Sequence, residues 1–138
     1  MATWRRKALE FLPELRSTIA SAESPMALWI ELHLEFDEVM EKGDLASAQR
    51  FLRFAAWCLT DESGPLPNDT STAAALAFYE HLPQKRAYWP HFSRWFTTRE
   101  VEVLLPIFSY HLDATEFVEL RRHLGVPPNT SFERTREG

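Results

Sequence analysis

Residues 28–44 read LWIELHLEFDEVMEKGD, and the spacing of their apolar side chains decides the fold class. On a wheel of 100° per residue, Trp29, Leu32, Phe36, Val39 and Met40 share one arc, the stripe that a core-facing helix needs. Glu31, Glu35, Glu38 and Lys42 fall on the opposite side. Ser24-Pro25 supplies an N-cap followed by proline at the first helical position. Gly43-Asp44 supplies a glycine that ends the helix and a cap for the next one. The pattern predicts a helix over 25–42 and a second from Leu45 to Thr60.

The rest of the chain repeats this three-four spacing. Trp4, Ala8, Leu12, Leu15 and Ile19 form a stripe that Pro13 either kinks or splits into two helices. DESGPLPNDTST (61–72) has the prolines, glycine and polar residues of a loop. STAAALAFYEHL (71–82) reads as a short helix, and residues 83–96 as helical turns broken by Pro83 and Pro90. Thr97-x-x-Glu100 and Asp113-x-x-Glu116 have capping-box spacing and start helices near 98 and 114. Pro106 is expected to kink the first of these, and Gly125 to end the second. No useful run alternates with period two, so no sheet is expected.

EKGDLASAQRFLRFA resembles the turn and second helix of a tetratricopeptide repeat. Gly43-Asp44 stands at the turn, and Ala48, Leu52 and Ala55 match the motif's small-large-small spacing. Phe36 departs from it where the repeat's first helix has a small residue, and Thr60 where it has proline. No second copy follows near 34 residues on. The resemblance implies a helical hairpin.

Composition narrows the function classes. The chain has 138 residues, of which 45% are hydrophobic and 25% charged, enough for a core without metals or disulfides. Four glycines and one cysteine leave no phosphate-binding glycine loop and no multi-cysteine zinc pattern. The lone Cys58 suits a reducing, cytoplasmic setting, and no apolar run is long enough to cross a membrane. The net charge of −5 argues against a general nucleic-acid binder. The charge is polarised, however. Residues 31–44 form an acidic stretch, while Lys85, Arg86, Arg94 and Arg99 form a basic one.

Three groups of residues are candidates for function. His33 and Asp37 lie one turn apart near Met26, Ile30 and Leu34, as an enclosed structural pair, a contact for a partner or, with another histidine, a metal or catalytic site. Arg50, Arg53 and Trp57 occupy the side of their helix away from its apolar arc. A tryptophan beside arginines has the composition of a protein interface, which Lys85 and Arg86 would continue, unless another segment of the chain covers Trp57. Third, FYEHLPQKRAYWPHFSRWF (78–96) interleaves aromatic and basic residues, as core, as a protein contact or as a stacking surface for nucleic acid or another anion. Cys58 sits among apolar neighbours and reads as buried and inert.

The expectation is an all-α fold: a compact array of about six or seven short helices built from antiparallel hairpins, with one domain over 1–125 and a flexible tail over 126–138. The expected role is a soluble, non-catalytic protein-interaction module: an adaptor, a regulator or a neutralising partner of another protein, with no cofactor and no metal. The alternatives are a metal-binding protein or enzyme built on His33 and Asp37, and a nucleic-acid or anion binder built on the basic-aromatic segment 85–99.

Overall fold

A computed structural model describes residues 1–63 and 69–126. Among the described residues there are eight α-helices and no strand. They are α1 (Thr3–Phe11), α2 (Arg16–Ser21), α3 (Pro25–Glu41), α4 (Leu45–Cys58), α5 (Asp69–Ala74), α6 (Phe92–Trp95), α7 (Thr98–Phe108) and α8 (Ala114–His123). The chain divides into two compact units, Met1–Tyr79 and a second that opens at Glu80. Of the tail expected over 126–138, residues 127–138 lie outside the described residues, as does the middle of the 61–72 loop.

Local chemistry sets the boundaries. Pro13 does not kink a continuous helix. It opens a 3-10 turn, Pro13–Leu15, that separates α1 from α2. Arg5 then ties the two together, donating through Nη1 to the carbonyls of Ile19, Ala20 and Ala22 at 2.6, 3.2 and 3.1 Å. These are carbonyls at the C-terminal end of α2, which lack partners within the helix. Ser24 caps α3 by accepting from the Ala27 amide at 3.1 Å.

At the other end of α3, Gly43 adopts φ of 73°, a left-handed conformation that glycine enters at little cost. The Gly43 and Asp44 amides bond back to Met40 and Val39, and Asp44 caps α4 through the Ser47 amide. One turn therefore closes α3 and starts α4, and the two helices pack together.

The first unit is built around stacked rings. Trp29 lies 5.2 Å from Phe54 at 13° between planes, and 4.8 Å from Phe78. Phe36 meets Phe51 and Phe78 edge to face, a favoured arrangement for aromatic quadrupoles. The helix expected over 71–82 has a different form. After α5 the chain widens into a π-helical turn, Ala75–Tyr79, which buries Ala77, Phe78 and Tyr79 in succession. Such turns are rare and often sit beside functional residues.

The second unit depends on Trp89. Its indole N–H donates to the Pro83 carbonyl at 2.8 Å, and its own carbonyl accepts from His123 Nε2 on α8 at 3.0 Å. Phe92, Phe96 and Phe108 pack their rings on one another in the core of this unit. Both expected capping boxes form, Thr97 with Glu100 and Asp113 with Glu116. Pro106 falls within α7, close to its end.

Candidate functional site

The structure places the candidates in three different settings. Arg50, Arg53 and Trp57 do not form an open interface. Trp57 is only 8% exposed and stacks on Phe54 at 6.1 Å and 11°. Arg50 is drawn back onto its own unit, with Nη1 at 2.7 Å from Glu14 Oε2 and 3.3 Å from the Phe11 carbonyl. Of the three, only Arg53 is exposed. The physical reason is that α4 packs against α1 as well as α3, so its supposed back is a second buried face. The carboxyl of Glu14 feels some desolvation, but the Arg50 guanidinium outweighs it and holds Glu14 below its ordinary value.

Lys85 and Arg86 belong to the second unit, and both are engaged. Lys85 Nζ lies 5.5 Å over Tyr88. Arg86 lies 4.5 Å over Trp89 and pairs with Glu119 at 2.6 Å, which clamps the segment to α8. The aromatic run 78–96 is core: Phe78, Tyr79, Tyr88, Trp89, Phe92, Trp95 and Phe96 are all buried. Its rings therefore do not form an outward stacking surface.

His33 and Asp37 do lie together on α3, with Nε2 to Oδ2 at 3.6 Å, longer than a direct hydrogen bond. The ring also meets Phe78 edge-on. The pair is not enclosed as expected, because its apolar neighbours Ile30 and Leu34 are 52% and 57% exposed. Among the described residues, no group of three or more His, Cys, Asp or Glu is arranged to hold a metal ion.

Ile30 and Leu34 give α3 an outer face. The helix turns Pro25, Leu28, Trp29, Leu32 and Phe36 into the core. On the wheel, Ile30, Leu34, Glu38 and Glu31 follow one another within about 100°, and all four are exposed. Glu41 lies within the same arc and is exposed too. Among the described residues, no cation comes within ion-pair distance of Glu31, Glu38 or Glu41. The face combines two uncovered aliphatic side chains with three unneutralised carboxylates.

Sequence reasoning missed a further cluster, in the second unit. The side chain of Glu80 is 8% exposed, and its Oε1 accepts from His111 Nε2 at 2.9 Å. His111 stacks on His81 at 4.7 Å and 16°, and His81 Nδ1 reaches Gln84 Oε1 at 2.8 Å. The carboxylate orients a partly exposed imidazole, an arrangement able to pass a proton. The signal was a single acid inside the apolar and aromatic run ALAFYEHL. Its partner lies on a distant turn that spacing does not reveal.

Cys58 is buried. Burial pushes its thiol up to about 12, against a weaker opposing pull from the Trp29 indole, so the nucleophilic thiolate is suppressed. No helix among the described residues is long and apolar enough to cross a membrane. In comparisons with protein-family models, curated proteins and solved structures, the chain matches none.

Proposed function

We propose that this protein is a non-catalytic interaction module that binds a basic protein partner on the outer face of α3. The observation that carries the reading is the exposure of Ile30 and Leu34 beside Glu31, Glu38 and Glu41. Each feature has a cost in the isolated chain. Two large aliphatic side chains stay about half in water, and covering both contributes on the order of 2 kcal/mol. Glu31 and Glu38 also flank Glu35, and like charges at these helical spacings repel by a few tenths of a kcal/mol per pair. A partner with basic residues around an apolar centre relieves both costs at once. Complementary charge also speeds the encounter and sets the register. Such a role fits an adaptor, a regulator or a neutralising partner of another protein.

The test is capture from cells of the native host, comparing the wild-type chain with an Ile30→Asp/Leu34→Asp variant. Both sites are exposed, so the variant should keep its helical spectrum and melting temperature. The expected result is a protein with a basic surface retained by the wild type and lost by the variant. Equal retention by both would remove α3 as the binding face.

A further inference from the structure

Between α2 and α3 the first unit opens a groove with a cavity volume of about 540 Å³. Ser17, Thr18 and Ser21 line one wall, Ala27 and Glu31 the other, and Glu23 stands in the link between the helices. No lining residue is basic. The hydroxyls and carboxylates make the walls rich in acceptors, while alanine side chains leave room between them. Among the described residues, Glu23 and Glu31 are both exposed and neither has an ion-pair partner. Arg5 approaches at the Ala22 end, but its Nη1 donates to the carbonyls of Ile19, Ala20 and Ala22.

The groove continues the α3 face. Ala27 falls between Leu34 and Glu38 on the helical wheel, and Glu31 closes the same arc. A partner resting on Ile30 and Leu34 therefore has an acceptor-lined recess beside it. A guanidinium matches this recess better than an ammonium, because its planar fork can donate to acceptors on two walls together.

We infer that the α2–α3 groove is the anchor pocket for an arginine side chain of the partner. This inference rests on the α3 reading and names the chemistry that the partner must present.

The probe is Nα-acetyl-arginine methylamide, titrated into the isotope-labelled full chain and followed through its amide resonances. Its citrulline analogue has nearly the same shape without the charge. The expected result is saturable shifts centred on Ser21, Ala22, Ala27 and Glu31, at least tenfold weaker for citrulline. Glu23→Gln/Glu31→Gln should abolish the difference while leaving the rest of the spectrum in place. Equal response to arginine and citrulline, shifts centred elsewhere, or no shifts would overturn the pocket.

The captured partner separates the two claims. If its affinity falls with Ile30→Asp/Leu34→Asp but not with Glu23→Gln, which removes a carboxylate of the recess alone, the face stands and the arginine anchor falls. Indifference to both variants ends both claims.

Discussion

Cys58 gives the core of the first unit a measurable pH signature. In the unfolded chain the thiol titrates near its ordinary value of 9.0, while in the folded chain burial holds it at about 12. A group that keeps its proton more tightly when folded adds stability below the unfolded value. That contribution is lost as pH rises from 9.0 through 12, because only the unfolded chain releases the proton. The loss is on the order of 1 kcal/mol by pH 10 and about 3 kcal/mol by pH 11. The effect is read against a chain that lacks the thiol.

Cys58→Ala supplies the reference, since its cavity cost is nearly independent of pH. Urea denaturation of both chains at pH 8, 10 and 11 should show their stability difference shift by these amounts, against the wild type at high pH. A thiol reagent should react with Cys58 only at the rate of unfolding. A difference that stays flat from pH 8 to 11, or rapid labelling of the folded chain, would refute a buried Cys58.

Two further changes test the packing. Phe54 is 1% exposed and meets the rings of Phe11, Trp29 and Trp57, so Phe54→Ala should cost about 3–5 kcal/mol in urea denaturation; a loss under about 1 kcal/mol would contradict the ring stack. His111→Ala strands the buried Glu80 carboxylate and should cost about 1–3 kcal/mol, part of which Glu80→Gln restores in the same background. A neutral His111→Ala would mean that Glu80 is not held by that imidazole.

The helices were legible because their signals are local. Ser24-Pro25, Gly43-Asp44 and the two capping boxes act within a few residues, and each stands where the spacing puts it. The core stripe of α3 was legible in part: Trp29, Leu32 and Phe36 are buried as expected, whereas Val39 and Met40 are only partly buried and Leu28 joins the core instead. The site was harder, because exposure depends on how many neighbours a helix has. A wheel drawn on α4 assumes one buried side, but α1 and α3 both pack against it, and Trp57 turned inward. The opposite error occurred on α3, where Ile30 and Leu34 resembled an enclosing wall yet remain open. Glu80 escaped because its partner His111 comes from a separate turn. The π-helical turn has no residue signature, since alanine and aromatic residues suit an α-helix equally well.

The most direct measurement is the dissociation constant between the captured partner and this chain, with and without the Ile30→Asp/Leu34→Asp change, at low and high salt. Loss of about 2 kcal/mol of apolar burial weakens binding roughly thirtyfold. The two carboxylates introduced there would have to lose water at the apolar centre of the contact, which adds to that loss. Salt should weaken the wild-type complex, because exposed charges are screened. The account predicts at least a thirtyfold loss together with a clear salt dependence. Affinities within twofold of each other, insensitive to salt, would contradict it.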